Sequence, residues 1–498
     1  MTGNNLISDS DESSDELKDS TEDLEDISRD YLRLSVVFSF LTNKPLQIQL
    51  VEPIRSYEVS LLKLVTKVTD GTRTEVDRNT IKLMPGRFIG GDFTFQCDNS
   101  IPLTYYLEPL VLLFPFSSNT TTITLSHSIN NTNSNSTETN NSNRSPAHVE
   151  DLNEYYSSLE CFSSVCTIIL QMIGSEVVFR YKEPYEVYFS CGPVKKVEPI
   201  ILWKSPKIKR IRGTVVARNL QPSLGKNAII AAKRVLDQVC DNTWIALNTP
   251  PGKYKPTLII SLIAEGTKNC IFTSNTLSNP LDISSTTGSS KNTGTVTSNN
   301  TSNMNMNSDN SGGGDNVEKK VGMGRSLLKI LNLAKNTNNT DGDKNTECDN
   351  KPLDLDLDSV NQTRQPNSET LKQNPDVVQM VEVEEMDVDG KHYGIIGECE
   401  RVGEKCAYRL CSEIALDSVI DTTHQHLLLY FMALSGDHQV SQIRLAKLNR
   451  YSVHLLRLIK IHLGIIFKFQ EIQTESGHNV LLVKCVGSNY QNINLKSF

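Results

Sequence analysis

Long hydrophobic runs are missing from this sequence. No stretch approaches 18 apolar residues, so a membrane span is not expected. The first residues lack the apolar core that marks a secretory leader, and export is not expected either. Aromatic residues make up only 6% of the chain and mean hydropathy is -0.31, low for a fully packed chain of 498 residues. Long polar tracts explain the deficit and leave roughly 350 residues to fold, enough for one large domain and a smaller one. Paired cysteine spacing is absent as well. The eleven cysteines are an odd number scattered among apolar neighbours, which fits buried thiols in a reducing compartment rather than a disulfide framework. Cys399, Cys406 and Cys411 lack the short paired spacing of a zinc site. There is no phosphate loop: Gly322 and Gly324 lie near Lys329 without a Gly-Lys-Ser/Thr ending.

What is present is an uneven distribution of charge. Net charge is -8, but residues 1–30 hold 11 acids and 2 bases, so the remainder sums to +1. That acidic, serine-rich tail is predicted to be disordered. Its counterpart is a basic stretch from Val194 to Cys240. Between Tyr181 and Val235 there are 12 Lys/Arg against 3 Asp/Glu, a local excess of +9. Apolar residues alternate with the bases from Ile208 to Val216, which predicts a strand, and Asn227–Val239 has the spacing of a helix with one buried face. A folded basic face suits phosphate contact; an ordinary solvated face of a small α/β module explains the same pattern.

Along the chain, strands are predicted at 46–50, 74–83, around Phe93 and Phe95, and at 123–125, 176–181, 186–191, 258–264, 270–273, 440–445, 465–469 and 480–486. Helices are predicted at 59–68, 105–114, 165–173, 404–418, 424–434 and 451–462, the last ended by Gly464. Asn130 to Ser145 is too poor in apolar residues to pack. From Leu277 to about Gly390 the composition is that of a disordered insertion, broken by one short amphipathic helix at Val321–Leu333. The recurring order of helices and strands implies an α/β (α+β) architecture of three similar units, with a basic module between the second and third.

Several separated segments resemble one family in order. They are Pro85-Gly86 through Gly90-Gly91, Tyr105-Tyr-Leu-Glu108 with Pro109 to Pro115, Glu186 to Cys191 with Pro193 to Lys196, Ile208 to Gly213, Ser261 to Glu265, Asp421-Thr-Thr-His-Gln425 and Gln439 to Leu445. Together they resemble the RNA 3'-terminal phosphate cyclases, and specifically the cyclase-like branch linked to small-subunit ribosome assembly. The resemblance implies three repeats of helices on a four-stranded sheet with a smaller inserted α/β domain. Its boundaries here would be 1–30 for the tail, 31–201 for the first two repeats (polar insert about 130–146), 202–277 for the insert, 278–391 for the low-complexity insertion and 392–498 for the third repeat.

The resemblance also implies a chemistry that this sequence departs from. Cyclases adenylylate a histidine; here that position falls on Thr422, whose hydroxyl proton is held too tightly to leave without an activating base. Thr422 or Thr423 is expected to cap the following helix and turn His424 and His426 away, as helix-surface or packing histidines. The glycine-rich segments near the nucleotide are replaced by Lys182 to Tyr185 and by Ser28 to Tyr31. No catalysis and no cofactor are expected. What the resemblance implies instead is a nucleolar, hence nuclear, assembly factor. It would be needed for early pre-rRNA cleavages toward 18S rRNA, binding a large ribosome-assembly GTPase and small-subunit pre-ribosome proteins. Direct contact with pre-rRNA stays open. Binding is expected from Lys207, Lys209, Arg210 and Arg212, and from Arg444, Lys447, Arg450 and Arg457, although Arg457 also suits a solvated helix face. The alternatives are a pre-rRNA endonuclease drawing on Glu108, Glu265 and Asp421, and, less favoured, a working cyclase. Glu108 and Asp421 are placed at helix starts, where carboxylates are common for electrostatic reasons alone.

Overall fold

Apolar spacing at three and four residues, and alternation at two, set the elements of this protein, whose structure is a computed structural model. It describes residues 31–127, 157–182, 186–251, 256–278, 395–474, 477 and 479–495; the Val321–Leu333 segment and both low-complexity stretches lie outside them. Those residues fall into two units.

The first unit draws on 1–139, 175–195 and 491–498. Helix α1 (Leu32–Thr42) leads into β1 (Leu46–Gln49), α2 (Ser56–Lys67), β2 (Arg73–Asp77) and β3 (Thr80–Met84), and the strands form a sheet in the order β1-β3-β2. This sheet has three strands where four were expected, and beyond β3 the chain adds one bridge, Arg87 to Asp70. A four-stranded sheet follows, β4 (Gly91–Cys97), β5 (Thr121–His127), β7 (Glu186–Cys191) and β6 (Val177–Lys182) in that order, with α3 (Leu103–Leu113) between β4 and β5 in sequence. Every residue of α3 is buried, because apolar side chains surround it. Glu108 therefore sits mid-helix rather than at its start, and it is neutralised by an ion pair with the buried Arg33.

The second unit draws on 140–174 and 196–490. Its larger layer is the sheet β10 (Thr243–Asn248), β9 (Ile208–Arg218), β11 (Thr257–Gly266) and β12 (Ile271–Ser278). Side chains alternate across β9, so Ile211, Gly213, Val215 and Ala217 share one face and Arg210, Arg212 and Thr214 the other. Two helices, α5 (Pro222–Leu236) and α6 (Ile395–Ala415), cover the first face. Gly225 of α5 lies against Leu247 and Ala217, and the Cys406 thiol of α6 meets the Ile260 and Ser274 carbonyls. Gly403 of α6 faces the Ala228 backbone so closely that a Cβ would collide with it, which fixes where the two helices cross. Helix α4 (Leu159–Met172) lies on the opposite face, its Ser158 cap bonded to Ser261 at 2.8 Å.

A second sheet of the same unit runs β14 (Lys468–Gln473), β15 (Asn479–Cys485), β13 (Ser441–Leu445) and β8 (Ile201–Leu202), with α7 (Gln425–Leu434) and α8 (Arg450–Leu463) beside it. Gly464 ends α8 in a left-handed conformation, φ 68°, where a glycine carries no Cβ penalty. Helices on mixed sheets thus recur through the chain, with a further α/β layer at β9–β12. Strand β10 had no counterpart in the sequence reading: Trp244 on it is 65% exposed, which spoils the apolar alternation. Helix α6 begins nine residues earlier than the apolar spacing indicates (404 − 395 = 9).

Candidate functional site

The loop between α6 and α7 carries Thr422, the position that the resemblance sets against the cyclases' histidine. Asp421, fully buried, is its centre. One carboxylate oxygen accepts the Thr273 N–H at 3.1 Å and the Thr273 hydroxyl at 2.9 Å. The other accepts the His424 N–H at 2.9 Å and lies 2.8 Å from His424 Nδ1. Burial pushes the Asp421 carboxyl up, but the His424 ring and the bonds from Thr273 and His424 outweigh it and hold the carboxyl below its usual range. An ionised carboxylate only accepts, which assigns the proton to Nδ1 and leaves Nε2 with its lone pair.

Thr422 takes a different partner. Its N–H and its hydroxyl both donate to Glu413 of α6, at 2.9 and 2.6 Å. Burial and the neighbouring Asp421 charge raise the Glu413 carboxyl to about 7. From the other side Asn449 donates to the Thr422 carbonyl at 2.7 Å while its own oxygen caps α8 by accepting the Ser452 N–H at 2.7 Å. Thr422 therefore does not cap α7, and neither does Thr423: helix α7 starts at Gln425, and Asp421 supplies the acceptor at its entrance. A carboxylate three residues ahead of the first N–H reaches it better than a hydroxyl beside it.

The histidines are packed, not on the surface. His424 is 1% exposed, its Nε2 has no hydrogen-bond partner, and its ring lies 6.1 Å from that of Phe162. His426 is buried edge-on against Tyr451 at 5.0 Å. An Asp-oriented imidazole with an uncommitted Nε2 has the electronic form of a nucleophile, yet this one has no solvent path to a nucleotide.

The basic stretch divides by face. Arg210 and Arg212 converge on Glu265 of β11, which the antiparallel register sets opposite Arg210, with Nε to oxygen distances of 2.7 Å each. Arg212 also donates to Ser164 of α4 at 2.9 Å. Burial pushes Glu265 up, and the two guanidinium groups bring it below its ordinary value. Lys209 is exposed and belongs to the other face of β9, while exposed Lys207 precedes the strand. Arg444 of β13 pairs with Asp417, which also accepts the Ser205 hydroxyl at 2.5 Å. Lys447 and Arg450 are exposed at the entrance to α8 and Arg457 is half-buried along it. Burial, and then the Arg457 charge, lower His454 to about 4. Of the eight expected binding residues, Arg210, Arg212 and Arg444 are thus tied to carboxylates. The acids Glu108, Glu265 and Asp421 each have their own partners. Glu413, Thr273 and Asn449 went unnoticed in the sequence because all three lie in other elements, and nothing local marks them.

Comparison with known proteins agrees with this architecture. A family model described as RNA 3'-terminal phosphate cyclase matches residues 28–148, and one described as the insert domain of that cyclase matches 204–295. An "RNA 3'-terminal phosphate cyclase-like protein" of Bos taurus is 23% identical over 488 residues, covering 93% of this chain and 95% of that protein. The human protein of the same description gives the same identity and coverage. An rRNA processing protein of Saccharomyces cerevisiae is 36% identical over 93 residues, 17% of this chain and 25% of its own length. With the two family models falling in order on the first unit and on the sheet that holds the basic strand, the chain belongs to the RNA 3'-terminal phosphate cyclase family, in its cyclase-like branch.

Proposed function

We propose that this protein is an rRNA-processing factor of the nucleolus that assists assembly of the small ribosomal subunit by placement rather than by chemistry. Its partners are a large ribosome-assembly GTPase and small-subunit pre-ribosome proteins, and its action supports the early cleavages toward 18S rRNA. The observation that carries the reading is the state of the degenerate site. Thr422 is bonded to Glu413 and Asn449, and the only imidazole oriented by Asp421 is sealed from solvent. A hydroxyl hydrogen-bonded to a carboxyl near pH 7 gains little nucleophilicity, because the pKa gap between the two groups stays several units wide. The similarity to proteins described as cyclase-like and as rRNA processing proteins supports the biological setting.

Two measurements test it. Tagged protein isolated from its own cells is expected to bring down precursors of the small-subunit rRNA together with a large GTPase; recovery of neither overturns the placement role. Incubation with labelled ATP and magnesium, followed by denaturation, is expected to leave the chain unlabelled. An acid-labile label that disappears in His424→Ala would restore the cyclase reading.

A further inference from the structure

The strands of the sheet β14-β15-β13-β8 contribute charge of a single sign to one face. The register places Ile201, Gln442, Lys484 and Lys468 in one row across all four strands. Directly paired residues share a face, so these side chains stand together. The next row, Arg444, Leu482 and Gln470, adds no acid, and Glu471 belongs to the opposite face. Lys468 is exposed and Lys484 half-buried.

At the β8 edge of that face the chain passes into Trp203, 48% exposed, with the Lys204 ammonium 5.4 Å from its ring centroid. Trp203, Ile201, Lys204, Lys268 and Cys270 line a concavity of about 300 Å³. Lys268 is presented by a tight turn in which its own φ is 58°. Thr267 before it is bonded in both directions to Lys207, through its backbone N–H to the Lys207 carbonyl at 2.8 Å and from the Lys207 N–H to its side-chain hydroxyl at 3.1 Å. Among the described residues none of Lys204, Lys268, Lys468 and Lys484 has a carboxylate partner. Asp417, reached through Ser205, is already taken by Arg444.

We infer that this face is a platform for single-stranded RNA. One base stacks on Trp203 in the concavity, and the strand crosses toward β14 with its phosphates against Lys204, Lys268, Lys484 and Lys468. The span from β8 to β14 is three interstrand spacings, about 14 Å, which suits a few nucleotides. An exposed indole beside ammonium groups that have no carboxylate partner among the described residues matches a polyanion with π-faces. A duplex offers no base face to the indole, and an acidic peptide offers charge without stacking. The inference deepens the proposed function by naming where RNA is held.

The test uses the full chain and a labelled ten-nucleotide single-stranded RNA of mixed sequence. Trp203→Ala is expected to weaken binding roughly 5- to 100-fold, the range that base–aromatic stacking spans, and Trp203→Phe to recover most of it. Lys468→Glu with Lys484→Glu is expected to weaken binding and flatten its salt dependence. In Trp244→Phe, which leaves Trp203 the sole tryptophan, indole fluorescence is expected to be quenched by the RNA and not by poly-glutamate. Photocrosslinking of 4-thiouridine RNA to the wild-type chain, which needs no variant to fold, is expected to map to 201–204 and 268. Unchanged affinity in folded Trp203→Ala, crosslinks elsewhere, or equal quenching by poly-glutamate overturns the platform. If the chain fails to bind RNA alone yet purifies with the precursor and GTPase, the platform fails and the placement role stands. If it binds RNA through Trp203 but purifies with neither, the reverse holds.

Discussion

Asp421 and Glu265 are both carboxylates at the centre of a hydrogen-bonded group in the same unit, and they differ in burial. Asp421 is fully buried and its partners, Thr273 and His424, are buried with it. Glu265 is half-buried under two arginines, of which Arg210 keeps 57% of its side chain in solvent and Arg212 33%. The geometry of the two groups is similar, with contacts of 2.6–3.1 Å. What differs is the alternative open to each partner when the carboxylate is lost. At Glu265 water takes its place; at Asp421 two backbone N–H groups, the His424 ring N–H and a hydroxyl are stranded without solvent. Bonds of similar length therefore mean a fixed loop in one place and a loosely held surface in the other.

The sharpest break in that comparison is Asp421→Ala. Leaving a buried donor without its acceptor costs about 1–3 kcal/mol; Asp421→Ala does this to several at once, and urea unfolding is expected to show a loss of at least about 3 kcal/mol. Asp421→Asn keeps one acceptor and should lose less. Because α7 lacks its entrance acceptor in Asp421→Ala, exchange of the His424 amide with solvent should rise there. A loss below about 1 kcal/mol in Asp421→Ala would mean that the loop behaves like the surface group.

The next effect depends on pH. Glu413 stands at about 7 in the folded chain against 4.5 ordinarily, so folding favours its protonated form. Stability from that proton is full below about pH 4.5 and is lost as pH rises through 7, on the order of 3 kcal/mol. Glu413→Gln, whose amide oxygen still accepts from Thr422, is expected to flatten the stability profile between those values. Asp421 acts in the other direction and lower down: its carboxyl lies below the usual value, so its contribution is present above about pH 3.8 and falls away in stronger acid. A Glu413→Gln profile that parallels the wild type from pH 4.5 to 7 would remove Glu413 from the account.

How much of this was visible beforehand follows the range of the interactions. The strand at Ile208, the helix at Leu427 and the stop at Gly464 are local patterns, and they stand in the structure within a few residues. Thr422 was singled out by counting along one segment. Its partner was not. Glu413 lies nine residues upstream on a different helix, and Thr273 is 148 residues from Asp421. The same limit applies to the bases. Counting Lys and Arg locates positive charge, but whether a guanidinium is committed depends on strand register, and only register puts Glu265 opposite Arg210. Buried histidines were expected on the surface or in packing because polarity alone does not report depth.

The smallest predicted effects lie in the arginine group. Arg212→Ala should cost about 1–2 kcal/mol, since its guanidinium is partly buried and also bonded to Ser164. Arg210→Ala should cost only about 0.2–1 kcal/mol, the range of exposed pairs. Ionic strength separates the two groups better than size does. A double-mutant cycle of Arg210 with Glu265 is expected to yield a coupling that shrinks as salt rises to about 1 M, where the screening length falls to about 3 Å. The Asp421–His424 cycle should be nearly unchanged over the same range, because no counterion reaches a pair with side-chain exposures of 0% and 2%. Equal salt sensitivity in the two cycles would mean that solvent enters the Asp421 loop in solution, and the sealed imidazole on which the non-catalytic reading depends would then be open to a nucleotide.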